Sequence, residues 1–192
     1  MNSTLRRLSL VLLLVLLAGP LDAGRGQPVV EGKRLEFRLP DLDGNQIGWD
    51  DPRFRNKVLF VTAWATWCPP CISEIPTLVD LQSRLGSEGL VLVAIAFEHG
   101  DEPEERRARL RAFVGERGIN YLVLDGGQPE EFALALPAVD NVHGLPVEFV
   151  IDRQGRVVNA RNSRGYRKRW ARKLEQELLG LLGAGSGDRG DR

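Results

Sequence analysis

Residues 58–71 read VLFVTAWATWCPPC, and this stretch decides how the rest of the chain is interpreted. Residues 58–65 are largely apolar and rich in β-formers, which predicts a strand buried on both faces of a sheet. Cys68 and Cys71, which follow it, are the only cysteines among 192 residues. Three positions apart, their side chains share one face of a helical first turn and can reach each other as a disulfide.

Such a disulfide would close a very short loop, so it would remove little entropy from the unfolded chain and would be a weak brace. We therefore interpret the pair as a redox device. Two cysteines and two histidines are too few for a self-contained zinc site of the usual Cys/His type. The sequence predicts no structural metal site and no bound cofactor.

The composition is that of an ordinary globular protein, with 43% apolar and 27% charged residues. Lys plus Arg and Asp plus Glu both count 26, so the charge balance gives no support to nucleic acid or an anionic membrane surface as a partner. We predict one domain at residues 24–182 and a flexible, glycine-rich tail at residues 183–192.

The N-terminus has the pattern of an export signal. Arg6 and Arg7 precede an apolar run at residues 8–18, which is shorter than the about 20 residues that a membrane span needs. We assign residues 1–23 to this signal, although Ala23 ends only a mediocre cleavage site. An uncleaved membrane anchor is the alternative. Pro20 stands where a lipoprotein needs its modified cysteine, which excludes lipidation.

Elsewhere the pattern alternates between strands and helices. A hairpin is predicted at residues 37–49, before the strand at 58–65, and a helix follows the cysteines to about Leu85. The next elements are a strand at 90–97, a charged helix at 102–117, a strand at 121–124 and a short helix at 132–139. The last are a strand at 147–151, which turns into 156–158, and a final helix from about Trp170. This order favours an α/β fold with a mainly parallel sheet, helices on both faces and a last antiparallel edge strand.

With these elements placed, the chain resembles the thioredoxin-like superfamily and, within it, the exported disulfide reductases of the TlpA/ResA type. The residues that carry the resemblance are WATWCPPC at 64–71, Glu74, Pro76, Gly144-Leu145-Pro146 and Phe149-Val150-Ile151-Asp152. It covers about residues 30–182, and residues 102–124 look like the central helix–strand insertion of that branch. It implies a thioredoxin-like fold with a central mixed sheet, in a bacterial periplasm or cell envelope.

Cys68 is the expected nucleophile of such a protein. At a helix N-terminus, free N–H groups and the helix dipole stabilise a thiolate. Cys71, one turn further in and less exposed, would resolve the mixed disulfide and leave an intramolecular disulfide beside a reduced substrate.

The resemblance also implies roles for residues outside the pair. It makes Pro146 a cis-proline facing the cysteines, with Leu145 pairing through its backbone to the substrate and Trp67 beside it. It implies that Glu74 lies near the cysteines and tunes their protonation; a solvent-facing helical glutamate is the alternative.

Glu148 interrupts an otherwise apolar strand, two residues after Pro146 and on the same face. We expect it to be buried beneath the motif helix as a proton acceptor for Cys71, because burial makes a carboxylate take up a proton more readily. The alternative is an edge-exposed glutamate. The choice between Glu74 and Glu148 as the acceptor stays open.

The chain also departs from its relatives. Thr62 stands where thioredoxins carry a buried aspartate, and Val147 stands where they carry threonine and cytochrome-maturation relatives often carry glutamate. Ala65 stands where thiol peroxidases of this fold carry Thr or Ser, which argues against a peroxidase.

The leading hypothesis is an exported, monomeric thiol–disulfide oxidoreductase that reduces protein disulfides and receives electrons from a membrane thiol donor. A disulfide oxidase or isomerase is the second reading, because the Pro-Pro dipeptide does not set the direction of electron flow. A chaperone that binds Cu(I) through Cys68, Cys71 and His143 is the third, since soft thiolates suit that ion.

Overall fold

The computed structural model describes residues 31–137, 139, 144–162 and 168–184. The predicted signal at residues 1–23 and most of the predicted tail lie outside these residues. Within these ranges, no helix combines the length and the apolar character needed to cross a membrane.

The described part of the chain forms strands and helices in nearly the predicted order. They are β1 (Arg38–Pro40), β2 (Gln46–Gly48), β3 (Val58–Trp64), α1 (Pro69–Leu85), β4 (Leu90–Ala96), α2 (Pro103–Arg117), β5 (Leu122–Asp125), α3 (Phe132–Ala135), β6 (Val147–Ile151), β7 (Val157–Asn162) and α4 (Lys168–Ala184). Short 3-10 turns lie at Pro52–Phe54 and Pro129–Glu131. The helix α4 extends into the stretch predicted as tail.

The main sheet is mixed, with the strand order β5-β4-β3-β6-β7, and β1 and β2 form a separate antiparallel hairpin. The strands β3, β4 and β5 are parallel, whereas β6 runs antiparallel to β3 and β7 antiparallel to β6. The mixed sheet that the resemblance implied is confirmed, but the strand that opposes its neighbours is β6 inside the sheet and not the edge strand β7. The segment after β5 brings the chain to the C-terminal edge of β3, so that Val147 at the start of β6 pairs with Ala63.

The two faces of the sheet are covered differently. Alternate residues of a strand point to opposite faces, and Leu59, Val61 and Ala63 of β3 share a core with the hairpin region and α3. Val58 and Phe60 pack instead with the apolar stripes of α1 and α4, and Trp64 with α2. Helices thus lie on both faces, as predicted, but the three long ones share the face that holds the cysteines.

Candidate active site

Cys68 and Cys71 form a disulfide at the start of α1, with their Cα atoms 5.3 Å apart. Cys68 is the N-cap residue, and its Sγ accepts a hydrogen bond from the backbone N–H of Cys71 at 3.3 Å. Pro69 and Pro70 occupy the first helical positions, where a missing N–H removes no helical bond. The motif therefore directs the backbone N–H of Cys71 at the Cys68 sulfur.

Both cysteines are enclosed in this oxidised form. Cys68 is 5% exposed and Cys71 is 3% exposed, so the expected difference has the predicted sign but is small. Trp64 and Ile75 belong to the same apolar cluster. Trp67, by contrast, is 47% exposed and is the large apolar side chain that this part of the site presents to solvent.

The segment before β6 closes the other side of the site. The Leu145–Pro146 peptide bond is cis, as the resemblance implied. Leu145 is half-buried and packs against the cluster that contains Cys68 and Cys71. The side-chain amide of Asn162 on β7 donates to the carbonyl of Gly144 at 2.8 Å, which ties this segment to the sheet.

Glu148 is completely buried, which excludes the edge-exposed alternative. Its Oε2 lies 2.7 Å from Nε of Arg161 on β7, and the indole N–H of Trp170 on α4 donates to Oε1 at 2.9 Å. Its neighbour on β3 is Thr62. The strand adjacent to Thr62 thus carries a fully buried carboxylate.

Arg161 joins Glu148 to a second carboxylate. Its Nη1 lies 2.9 Å from Oε2 of Glu177 on α4, whose Oε1 accepts from the side-chain amide of Asn159 at 2.7 Å. Burial lowers the pKa of the Arg161 guanidinium, but the charges and hydrogen bonds of Glu148 and Glu177 outweigh burial and raise that pKa above its ordinary value. We call Glu148, Arg161, Trp170 and Glu177 the Glu148 cluster.

Glu74 is 1% exposed, so the solvent-facing alternative is wrong for it too. Glu74 lies close enough to Tyr121 to affect it: burial is the larger cause that raises the pKa of Tyr121, and the negative charge of Glu74 is the second. Glu74 therefore lies inside the core formed by α1, α2 and the sheet. Both candidate proton acceptors are buried on the cysteine-bearing face.

Sequence reasoning missed two partners. Arg161 pairs with Glu148 across β6 and β7, and an arginine in the strand after the turn at 152–155 was the available signal for it. Glu98, just after β4, accepts hydrogen bonds from the backbone N–H and the hydroxyl of Thr66. An acidic residue at the C-terminal end of a buried strand was the available signal for that contact.

The copper hypothesis rests partly on His143, which lies outside the described residues. Within those residues, no group of three or more His, Cys, Asp or Glu side chains is arranged to hold a metal ion. The reduced Cys68–Cys71 pair is the soft-ligand set that the described site offers.

Comparisons with known proteins agree with this geometry. The family model for Redoxin matches residues 29–176. Thiol-disulfide oxidoreductase ResA of Bacillus thuringiensis (strain Al Hakam) is 29% identical over 123 residues, which is 64% of this chain and 63% of ResA. The match thus spans slightly less than two thirds of that relative.

Two further proteins match over more of their length. Thiol:disulfide interchange protein DsbE of Vibrio cholerae serotype O1 (strain ATCC 39315 / El Tor Inaba N16961) is 28% identical over 164 residues, covering 82% of this chain and 80% of DsbE. The crystal structure of a thiol:disulfide interchange protein of the thioredoxin family from Chlorobium tepidum TLS superposes with a TM-score of 0.62 at 27% identity, covering 83% of this chain and all of that one. The chain belongs to the Redoxin family and, within the thioredoxin-like superfamily, to the TlpA/ResA-type proteins.

Proposed function

We propose that this protein is a thiol–disulfide oxidoreductase that works through Cys68 and Cys71. The observation that carries the proposal is their disulfide at the N-terminus of α1, with a helix N–H donated to the Cys68 sulfur. A thiolate at that sulfur would keep the same donor and gain from the helix dipole. The named activities of the relatives support the same chemistry.

In the reducing direction, the Cys68 thiolate attacks one sulfur of a substrate disulfide. The Cys68–substrate bond forms, the substrate S–S bond breaks, and the first substrate sulfur leaves as a thiolate that takes up a proton. Cys71 then loses its proton, and its thiolate attacks the Cys68 sulfur. The second substrate sulfur leaves, so that two electrons have passed to the substrate and Cys68–Cys71 is oxidised.

The second step needs an acceptor for the Cys71 proton, and we propose Glu148, with Glu74 as its competitor. Glu148 and Glu177 both contact the guanidinium of Arg161. A proton on Glu148 would therefore leave Arg161 paired with Glu177, which avoids the large cost of an unpaired buried cation.

For substrate contact we propose Trp67, Leu145 and Pro146. Trp67 is half exposed beside the pair, and Leu145 packs against the cysteine cluster. The substrate strand would pair with the backbone before Pro146.

We further propose that the protein acts as a reductant, as a monomer with one domain at residues 24–182. Oxidase or isomerase activity is the competing direction. The reduction potential of the pair, measured by equilibration with glutathione, decides between them: a value below that of protein disulfide isomerase favours the reductant.

The place of action follows from the N-terminal pattern. We propose export by residues 1–23 to an extracytoplasmic compartment, where a membrane thiol donor would re-reduce the pair. Cell fractionation with N-terminal sequencing tests this. A mature chain starting after the apolar run supports it, an intact Met1 in the membrane favours the anchor, and an intact Met1 on soluble cytosolic protein contradicts export.

Activity itself is tested by reduction of insulin disulfides with the purified protein and dithiothreitol. Wild type should accelerate the reaction, Cys68→Ser should abolish the acceleration, and Cys71→Ser should accumulate mixed disulfides. Equal rates for wild type and Cys68→Ser would contradict the proposed function.

A further inference from the structure

A buried carboxylate holds the loop in front of the nucleophile. Oε1 of Glu98 accepts the backbone N–H of Thr66 at 2.5 Å, and Oε2 accepts the hydroxyl of the same residue at 2.8 Å. Thr66 lies two residues before Cys68. Glu98 is only 7% exposed, so these bonds offset the cost of burying its charge.

His99, the residue after Glu98, contacts Trp67, the residue after Thr66. The ring of His99 stacks on Trp67, with centroids 5.2 Å apart and planes inclined by 28°. Two consecutive residues after β4 thus contact two consecutive residues before Cys68. Trp67 keeps 47% of its surface exposed, so the stack covers part of the indole and leaves the rest open.

Two arginines of helix α2 donate hydrogen bonds to the segment from Glu98 to Gly100. Arg109 donates to the carbonyl of His99 and Arg106 to that of Gly100, both at 2.8 Å. The backbone N–H of Glu98 donates to the carbonyl of Gly127 at 3.0 Å. The segment from Glu98 to Gly100 therefore has fixed partners on its far side, as a rigid support requires.

We propose that Glu98 is a positioning residue that sets the Thr66–Trp67 segment beside Cys68 and so orients the exposed indole toward the substrate. The inference rests on the proposed function, because it assigns Trp67 to substrate contact. A carboxylate suits this task, since its two oxygens accept both Thr66 donors at once. The geometry of these two bonds, and not the charge itself, is what the substrate senses through Trp67.

The test compares three variants in insulin reduction and in reduction of the small disulfide 5,5′-dithiobis(2-nitrobenzoate). Glu98→Ala should lower kcat/KM for insulin about tenfold, since small misplacements near reacting groups are costly, and should lower it clearly less for the small disulfide. Glu98→Gln, whose amide can accept from the Thr66 N–H and pair with its hydroxyl, should stay within about threefold of wild type. Glu102→Ala is the matched control: it lies in the same loop and makes no side-chain cap bond to α2.

Hydrogen exchange of the Thr66 amide gives a readout that needs no activity. Its protection should fall in Glu98→Ala and persist in Glu98→Gln. The proposal is overturned if Glu98→Ala reduces insulin within twofold of Glu102→Ala, if both disulfides are affected equally, if Glu98→Gln is as slow as Glu98→Ala, or if the Thr66 amide stays protected. If wild type itself reduces no insulin, the proposed function fails, while the exchange measurement still decides whether Glu98 holds the loop.

Discussion

Two arginine–carboxylate groups contact the main sheet, and they differ in which side chain is shared. Asp125 at the end of β5 is 2% exposed and faces two guanidinium groups, Arg106 at 2.8 Å and Arg107 at 3.7 Å. In the Glu148 cluster the guanidinium of Arg161 contacts two carboxylates, Glu148 and Glu177. A proton on Glu148 would therefore leave Arg161 its contact with Glu177, whereas loss of the Asp125 carboxylate would remove the acidic partner of Arg106.

We assign Asp125 a structural role and Glu148 a role in proton transfer as well. Asp125 also accepts the backbone N–H of Gly127 at 3.0 Å, so it fastens β5 and α2 to the loop at the sheet edge. Glu148 lies two residues after Pro146 on the cysteine-bearing face. We expect a change at Asp125 to affect mainly stability, and a change at Glu148 to affect stability and proton transfer together.

The largest expected effect on stability is that of Asp125→Ala. It would leave Arg106 buried without its carboxylate, so unfolding in urea should show a loss of about 3–5 kcal/mol. The exposed pair of Arg38 and Asp50 is the control, and Asp50→Ala should change stability little. A similar, small loss for both variants would contradict a structural role for Asp125.

Glu148→Gln comes next. Because Arg161 keeps Glu177, we expect a loss of about 1–3 kcal/mol, smaller than for Asp125→Ala. The resolving step should slow at least tenfold near neutral pH, with a changed pH profile, because a proton acceptor is removed. Single-turnover reduction of a model disulfide between pH 5 and pH 9 measures both.

Glu177→Gln is the matched control for that variant, since it removes the other carboxylate of the same arginine. It should lower stability and, because Arg161 then depends on Glu148 alone within this cluster, shift the pH profile less than Glu148→Gln, which removes the acceptor itself. Identical profiles for Glu148→Gln, Glu177→Gln and wild type would reduce Glu148 to a structural residue.

Glu74→Gln should have a smaller effect on the resolving step than Glu148→Gln. It should also lower the pKa of Tyr121, because the negative charge of Glu74 disfavours the tyrosinate. Absorbance titration of tyrosinate in a Tyr166→Phe background follows that group. If Glu74→Gln slows the resolving step more than Glu148→Gln does, Glu74 and not Glu148 is the proton acceptor.

The smallest expected effect on stability is that of changing Asp41, which lies in the turn between β1 and β2 and is less buried than Asp125 or Glu148. Burial raises the pKa of Asp41, but hydrogen bonds from Asn45 and Asp43 and the charge of Arg53 outweigh it and hold that pKa below its usual value. The stabilisation is therefore present above the unfolded pKa of about 3.8 and is lost as the pH falls through the lower folded value.

Asp41→Ala should thus cost about 0.5–1 kcal/mol at pH 7 and progressively less in acid. Urea unfolding of both proteins at pH 7 and at pH 3 checks the difference. A gap that widens toward low pH would contradict the assigned sign.

Much of the fold was predictable because its signals are local. The buried strand before Cys68, the turn residues at 41–45 and 152–155, and Gly118 with its left-handed φ of +62° at the end of α2 all fix their elements by short-range rules. The direction of β6 was not predictable in this way, because it depends on where the segment after β5 delivers the chain.

The charge network was hidden for a related reason. Continuing outward from the Ile151–Val157 pair without a bulge would place Glu148 opposite Ala160, but the register shift between Val150 and Ile151 places it opposite Arg161 instead. A single bulge therefore decides which side chain neutralises the buried glutamate. The Glu98–Thr66 contact likewise joins loops 32 residues apart in sequence and leaves no periodic trace.

The order of reaction of the two cysteines is the central claim, and competitive alkylation tests it most directly. The fully reduced protein is treated at pH 7 with limiting iodoacetamide, and the labelled peptides are quantified by mass spectrometry. Because Cys68 caps the N-terminus of α1 and its sulfur accepts the backbone N–H of Cys71, we expect Cys68 to be labelled first. Faster labelling of Cys71 would contradict it.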